Sequence, residues 1–224
     1  SRFVTWCHAP SRITLRSISY TLTNELEYHQ QLLPLSRAEL VDKLRHALKK
    51  KRFDHVLRVE ETAIELAKEN GVDLELASIA ALCHDYAKQR PDQDFIATIK
   101  EKHLDPALLN YGNAIWHGVV GAELVADELG CHDQRILDAV RQHTVGAPYM
   151  TKLAQIVYMA DYIEPGRDFE GVELARQVTH QSLAKGVALQ TKQTLMYLVS
   201  TGKPVYPTTL ATYNAWVPSN GKED

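Results

Sequence analysis

The sequence of 224 residues predicts an all-α fold on three observations. From residue 36 onward, apolar residues recur at the three- and four-residue spacing of one helix face. The alternation of apolar and polar residues that marks a half-buried strand is nearly absent. Helix start and stop signals, such as Ser36 and Gly71, separate the periodic stretches. Because there is also no internal repeat and no low-complexity linker, the pattern predicts a single helical domain.

The first three helices follow from their caps and their apolar positions. Ser36 begins the first helix as its N-cap, with Glu39 three residues later as the capping-box partner. A second helix is predicted over residues 54–70, where Gly71 ends it. A third is predicted over residues 74–88. Its part from Leu76 to Cys83 is apolar on all faces apart from Ser78, which is typical of a buried helix.

The rest of the domain is also predicted to be helical, apart from its end. Pro91 opens a fourth helix, because proline is favoured in the first turn. Further helices are predicted over residues 113–129, 133–143, 150–161 and 171–200. The segment "KPVYPTT", residues 203–209, contains two prolines and predicts an extended conformation. The helical domain is therefore expected to cover residues 36–215, followed by a tail over residues 216–224.

The N-terminal segment differs in composition from the rest of the chain. Residues 1–24 contain three arginines, many serines and threonines, and no acidic residue. This composition is typical of a mitochondrial transit peptide, and an upstream extension of the domain would fit it equally. We expect residues 1–35 to form an accessory or poorly ordered segment.

Composition also limits the classes of partner. The net charge of −3 provides no general basic field that would attract nucleic acid or anionic lipid. No apolar stretch approaches the ~20 residues that a membrane span needs. The three cysteines form no C-x-x-C pair, which argues against a zinc ribbon or a disulfide framework. We therefore expect a cytoplasmic protein without a nucleic-acid or membrane partner.

Four histidines and two aspartates lie at or near the ends of predicted helices, where several packed helices can converge on one cavity. They are His55, His84, Asp85, His117, His143 and Asp161. Imidazole and carboxylate together suit iron, manganese, zinc or similar metals. Six ligands exceed the three protein ligands of a typical catalytic zinc site. They suit two metal ions about 3.5–4 Å apart with a bridging carboxylate, an arrangement that supports phosphoryl displacement.

Each of these residues also has a simpler interpretation when it is taken alone. A lone buried histidine is more often a hydrogen-bonded core residue than a metal ligand. Asp161 could be an N-cap or the ion-pair partner of Arg167, and Lys88 could simply pair with Asp85. The metal interpretation therefore depends on the ordered set and not on any single member.

The ordered set resembles a known family. The elements H(55)…HD(84, 85)…D(161) resemble the HD-domain superfamily of metal-dependent phosphohydrolases. The segments "LCHDYAK", "WHGVVGAE" and "RQHTVGAPYMTKLAQIVYMADYIEPGRDF" further resemble the YqeK family of symmetrical diadenosine tetraphosphatases, over residues 36–215. The resemblance implies an HD-domain helical bundle with a metal site at converging helix ends.

The resemblance also implies a division of the ligands between two metal ions. His55, His84, Asp85 and Asp161 would surround one iron ion. Asp85 would also reach a second ion, which His117 and His143 complete. Manganese is the alternative to iron. The implied substrate is a dinucleoside polyphosphate with ADP as product, and a homodimer is common in the family.

Catalytic roles are assigned to Asp85, Lys88 and Arg167, since a lysine or a bidentate arginine beside metals can hold a phosphate. The turn "HTVG" offers backbone N–H groups for an oxyanion. Tyr206 is expected either to stack on an adenine or to pack the tail on the core. The full set of expected substrate contacts is Asp85, Tyr86, Ala87, Lys88, His117, Gly118, His143, Thr144, Gly146, Asp161, Arg167, Tyr206, Pro207 and Thr208.

The leading functional prediction is hydrolysis of diadenosine tetraphosphate into two ADP by a metal-activated water. One alternative is an HD-domain phosphohydrolase that acts on another nucleotide, such as a nucleoside phosphate or a cyclic dinucleotide. The other is a non-catalytic nucleotide-sensing module, which degraded ligand positions would indicate. None of the six ligand positions is degraded here.

Overall fold

The computed structural model describes residue 23 and residues 26–220, and this part of the chain contains eleven α-helices, one 3-10 helix and no strand. The all-α prediction is thereby confirmed. The helices are α1 (Arg37–Ala47), α2 (Lys50–Asn70), α3 (Leu74–Cys83), α4 (Asp92–Glu101), the 3-10 helix (Pro106–Asn110), α5 (Asn113–Val119), α6 (Gly121–Leu129), α7 (Gln134–Gln142), α8 (Lys152–Ile163), α9 (Val172–Gln181), α10 (Leu183–Ser200) and α11 (Pro207–Asn220).

Helix α3 lies at the centre of the main core and packs against α2, α7 and α8. Every residue from Glu75 to Cys83 is buried, as the uniformly apolar sequence predicts. Alanines at positions 77, 80 and 81 are fully enclosed, and their small size lets the neighbouring helices approach closely. The end of α3 is consequently held at a fixed depth inside the protein.

A second, smaller cluster joins α4, the 3-10 helix, α5 and α6. It is centred on Phe95 and Trp116, whose rings lie 5.9 Å apart, and the Trp116 indole donates to the Leu108 carbonyl at 2.8 Å. Gly118 lets α5 approach α7, since a Cβ there would meet the Val140 carbonyl oxygen at 3.1 Å. This cluster fixes α5 beside the end of α7.

Four helix boundaries differ from the predictions by more than two residues or by a break. Helix α3 ends at Cys83, not at residue 88, and residues 84–89 form turns. The His84 ring donates from Nδ1 to the Ala81 carbonyl oxygen at 2.6 Å. In a helix that continued, a backbone N–H of the next turn would donate to this oxygen instead. Helix α2 begins at Lys50, four residues before the predicted start. The predicted helices over residues 113–129 and 171–200 are each divided in two, at Val120 and Ser182.

The C-terminal segment is not extended over its whole predicted length. Pro207 begins α11, which runs across the predicted domain boundary at residue 215. Proline is well suited to the first helical position, where it needs no hydrogen-bonded N–H. The Thr212 hydroxyl donates to the Val145 carbonyl at 2.9 Å, and the Trp216 indole donates to the Ala147 carbonyl at 2.9 Å. These bonds attach α11 to the turn that follows α7.

Part of the predicted accessory segment also packs on the core. Leu33 is buried, and the backbone N–H groups of His29 and Gln30 each donate to the buried Glu75 carboxylate at 3.0 Å. The Tyr28 and Ser78 hydroxyls are hydrogen-bonded at 2.6 Å. The folded unit therefore begins before residue 36, while the prediction for residues 1–22 lies outside the described part. Among the described helices, none has the length and apolar character to cross a membrane.

Candidate metal centre

The six predicted ligands meet in one place, and they are carried there by α2, the turn after α3, α5, the end of α7 and α8. Their ligand atoms form two groups, and within each group the atoms lie within 4.8 Å of one another. The first group is His55, His84, Asp85 and Asp161, and the second is Asp85, His117 and His143. All are buried except Asp161, which is partly exposed.

Asp85 belongs to both groups because its two oxygens face opposite ways. Its Oδ2 lies 3.6 Å from His55 Nε2 and 3.4 Å from His84 Nε2. Its Oδ1 lies 3.4 Å from the Nε2 atoms of both His117 and His143. This arrangement suits a carboxylate that bridges two cations, each oxygen serving one of them.

The hydrogen bonds of three histidine rings leave their Nε2 atoms available as ligands. The Nδ1 atoms of His84, His117 and His143 lie 2.6–2.7 Å from a backbone carbonyl oxygen three or four residues earlier. A carbonyl only accepts, so each Nδ1 carries the hydrogen and each Nε2 can offer a lone pair. The Nε2 atoms of His55 and His84 are buried and have no hydrogen-bond partner within the described part of the chain.

The spacing of the ligand atoms fits a metal ion as well. His117 Nε2 and His143 Nε2 are 3.0 Å apart, and His55 Nε2 and Asp161 Oδ1 are also 3.0 Å apart. Two ligands about 2.1 Å from one ion and at right angles lie roughly 3 Å apart. Converging lone pairs at this distance repel one another unless a cation or a proton lies between them. The residues present therefore fit divalent metal binding.

The charges of the centre depend strongly on one another. Burial raises the pKa of the Asp85 carboxyl, but the surrounding His84 and His143 outweigh burial and hold that pKa well below its usual range. Burial lowers the pKa of His84, yet Asp85 and Asp161 outweigh it and raise that pKa to about 10. Burial and the neighbouring His143 lower the pKa of His117 to about 3. A proton on His84 thus offsets part of the negative charge of Asp85 and Asp161, as bound metal cations would.

His55 differs from the other three rings because a side chain faces its Nδ1. Glu164 Oε1 lies 3.6 Å from that atom, and Glu164 is almost fully buried. Arg58 and the Gly166 backbone N–H hold the carboxylate in place, and together with His55 they lower the pKa of Glu164 to about 2 against the effect of burial. A side chain at Gly166 would collide with the Arg58 guanidinium, 2.6 Å from the Cβ position. Sequence reasoning missed Glu164, although an acid directly after an apolar helix is a detectable signal.

Three cationic side chains surround the carboxylates. Arg52 Nη1 donates to Asp85 Oδ2 at 2.9 Å. Arg167 donates to both the side chain and the backbone carbonyl of Asp161, each at 2.9 Å. Burial lowers the pKa of the half-buried Lys88 ammonium, against the effect of Asp85. The sequence analysis named Lys88 and Arg167 but missed Arg52, which lies three residues before His55 on the same face of α2.

The other predicted substrate residues lie in two different settings. The Tyr86 hydroxyl donates to Glu128 on the surface of α6 at 3.0 Å, and the Ala87 side chain is buried in the second cluster. The Thr144 hydroxyl, next to His143, is buried and has no hydrogen-bond partner among the described residues. Gly146 adopts a φ of 65°, which favours glycine.

Tyr206 packs on the second cluster, and its ring meets the Tyr111 ring edge-on at 5.0 Å. Pro207 and Thr208 follow it as the first turn of α11, where the Thr208 carbonyl accepts from the Thr212 hydroxyl at 2.7 Å. This packing matches the simpler of the two interpretations of Tyr206 and leaves the contact with an adenine a prediction.

A cavity of about 500 Å³, called here the basic cavity, opens beside His55. It lies between the first turns of α2 and the loop that follows α8. Its lining is Lys51, Arg52, His55, Arg58, Gln89, Glu164, Gly166, Arg167, Asp168 and Phe169.

Comparisons with known proteins match the part of the chain that carries this centre. The model of the HD domain family matches residues 52–166. A symmetrical bis(5'-nucleosyl)-tetraphosphatase from Bacillus subtilis is 40% identical over 185 residues, which are 83% of this chain and 99% of that protein. The protein of the same name from Halalkalibacterium halodurans is 39% identical over 180 residues, 80% of this chain and 96% of its own length. The solved structure of a predicted HD superfamily hydrolase involved in NAD metabolism from Clostridium acetobutylicum has a TM-score of 0.78 and 32% identity, and covers 83% of this chain and 98% of that one.

Proposed function

This chain belongs to the HD-domain family and to its symmetrical bis(5'-nucleosyl)-tetraphosphatases, and we propose that it hydrolyses diadenosine tetraphosphate into two ADP. The observation that carries the proposal is Asp85, whose two oxygens face two separate groups of histidines. The relatives favour this substrate over another nucleotide. Six intact ligand side chains also argue for an enzyme and against a silent sensing module.

The proposal includes two metal ions per chain, iron in the first instance and manganese as the alternative. The buried Nε2 atoms without partners and the mixed imidazole and carboxylate donors support this. When bound, such a pair of metals polarises a phosphate and makes water acidic enough to attack at neutral pH. The assigned ligands remain His55, His84, Asp85, His117, His143 and Asp161.

The side chains of the centre would hold the substrate around an inner phosphate. Lys88, Arg167 and Arg52 would stabilise the negative charge that develops on the phosphate during displacement. Asp85 would keep both metals in place through the reaction. One ADP half would lie along Lys88 and Arg167, with its adenine near Tyr206. The remaining predicted contacts would surround this half, and they are Asp85, Tyr86, Ala87, His117, Gly118, His143, Thr144, Gly146, Asp161, Pro207 and Thr208.

We also propose a cytoplasmic location and a homodimer. The two cysteines in the described residues, Cys83 and Cys131, are free and buried, which fits a reducing compartment. Met196, Val199 and Leu210 are exposed apolar side chains on α10 and α11 that a second copy could cover.

Metal analysis of anaerobically purified protein, coupled to chromatography of the products, tests the proposal. We expect about two metal ions per chain and ADP as the only product from diadenosine tetraphosphate. Less than half a metal ion per chain after metal-replete expression would contradict the metal assignment. AMP and ATP as early products would contradict symmetrical cleavage.

A further inference from the structure

The basic cavity combines a strongly cationic lining with an aromatic ring. Lys51, Arg52 and Arg58 face it from α2, while Arg167 and Phe169 face it from the loop after α8. Its volume of about 500 Å³ falls within the range of ligand sites. The first-turn position of Lys51 and Arg52 adds the favourable field of a helix N-terminus for an anion.

The charge of the cavity is opposite to that of the whole chain. Four cationic side chains face it together with two carboxylates, those of Glu164 and Asp168, whereas the chain carries a net charge of −3. Glu164 is already bound by Arg58 and faces His55. Lys51 is exposed and has no ion-pair partner within the described part of the chain. Arg52 and Arg167 each bind an aspartate of the candidate metal centre through part of the guanidinium group. The Lys51 ammonium and the remaining guanidinium N–H groups are therefore what the cavity offers to an anionic ligand.

The cavity adjoins a different side of the metal centre from Tyr206. His55 lines it, whereas His117 and His143 do not. Tyr206 packs on the second cluster, the one that contains Trp116 beside His117. A linear molecule whose middle lies on the metal centre would therefore extend one end toward Tyr206 and the other into the cavity.

We propose that the basic cavity binds the second ADP half of the substrate, with its phosphates on Lys51, Arg52 and Arg58 and its base against Phe169. The inference rests on the proposed function, since a symmetrical tetraphosphate presents two equal halves. Hydrolysis adds one water, breaks the central P–O–P link and leaves an ADP on each side, and the two protons of the water are released as both new terminal phosphates ionise. Both products must fit at that moment, and a nucleotide base stacks readily on an aromatic ring.

Calorimetric titration of the metal-loaded protein with ADP tests the cavity without turnover. We expect two ADP molecules per chain. Lys51→Glu reverses a charge in the cavity. It should lower the affinity for the second ADP about tenfold or more and leave the affinity for the first ADP within twofold of the original value. Lys50→Glu is the matched control, because Lys50 is the preceding residue, lies outside the cavity lining and contacts Asp54. It should leave the affinities for both ADP molecules within twofold of the original values.

A second variant tests the base contact. Phe169→Leu keeps an apolar side chain but removes the aromatic face, and the second ADP should weaken about fivefold or more. Inorganic pyrophosphate has no base, so its affinities for the variant and for the original protein should agree within twofold. Equal weakening of ADP and pyrophosphate would overturn the base contact.

The outcomes separate the cavity from the proposed function. One ADP per chain at saturation, or equal effects of Lys51→Glu and Lys50→Glu, overturns the cavity proposal even if diadenosine tetraphosphate is hydrolysed to ADP. Two ADP per chain with the expected response to Lys51→Glu supports the cavity, and if the substrate is then left intact, only the proposed function fails.

Discussion

Replacement of Asp85 by asparagine tests the two proposed metal positions separately. Asparagine has the same shape but lacks the negative charge, and its NH₂ group cannot coordinate a cation. One oxygen remains, and Arg52 Nη1, 2.9 Å from Oδ2, favours keeping that oxygen on the His55 side. The NH₂ group would then face His117 and His143, which are 3.4 Å from Oδ1.

The size of the effect follows from the number of ligands. The first group has four ligand residues, and it keeps all four if the asparagine oxygen stays on the His55 side and three if it does not. The second group has three ligand residues and keeps only its two imidazoles. Since a catalytic zinc-type site commonly has three protein ligands, the second position falls below this number. We expect the metal content to fall from about two to about one ion per chain. Turnover should fall by about 10³-fold or more, because a two-metal site stabilises both the attacking and the leaving oxygen.

Elemental analysis, rates of ADP formation and thermal unfolding of the same preparations measure this prediction. Glu60→Gln is the matched control, since Glu60 is another buried carboxylate bound by an arginine, Arg37 at 2.6 Å, but belongs to neither ligand group. It should lower stability by a few kcal/mol, on the order of the cost of breaking a buried pair, without changing the metal count. An Asp85→Asn protein with two metal ions and a rate within tenfold of the original would refute the bridging role.

Three further predictions concern stability, cleavage position and packing. The Glu164 carboxyl has a folded-state pKa of about 2, below its usual value of 4.5, so its contribution to stability is present above pH 4.5 and is lost as the pH falls through 2. In urea unfolding of the metal-free protein, the free energy of unfolding should therefore fall by at most roughly 3 kcal/mol as the pH is lowered from 4.5 to 2. Glu164→Gln should lack this fall, and identical pH profiles of the two proteins would count against the prediction. Diadenosine pentaphosphate should give ADP and ATP, because the adenine contact sets a distance of two phosphates to the metals; AMP as an early major product by chromatography would rule this out. Gly118→Ala should push α5 away from His143, whose Cε1 would lie 3.2 Å from the new Cβ, and cost about 1–3 kcal/mol. Metal titration should then show weaker binding of the second ion only, and equal weakening of both would point to general unfolding.

The sequence predicted the class of the fold well because helical periodicity is a local property. The uniformly apolar third helix, for example, could be read as buried from residues 74–83 alone. Its end could not, because helix propensity continues to residue 88 and the competing donor to the Ala81 carbonyl is a His84 ring whose position depends on the folded site. The ligand set stays a prediction. It was formulated from ionisable side chains near predicted helix ends together with the resemblance to the HD-domain family, and spacing alone would not have singled it out.

The parts that sequence reasoning missed are contacts between distant segments. Arg52 reaches Asp85 across 33 residues, and Arg58 reaches Glu164 across 106 residues, so neither pair leaves a local pattern. Only residues 203–209 were predicted as extended, because Pro204 and Pro207 argue against a helix interior, while Pro207 in fact occupies the first position of α11. Residues 26–35 were assigned to the accessory segment, since the Glu75 carboxylate that receives them looks like an ordinary surface acid in sequence.

The different supports of the four rings affect how this centre can evolve. The rings of His84, His117 and His143 are held by main-chain oxygens of their own helices, and no point mutation can delete a carbonyl. The ring of His55 faces the Glu164 side chain, which a single codon change can shorten, neutralise or remove. We therefore expect substitutions that change metal preference without disrupting the helical bundle to occur mainly at one of the two proposed metal positions, the one that includes His55. Homologues adapted to different metal supplies should differ first at the residue equivalent to Glu164 and last around His117 and His143.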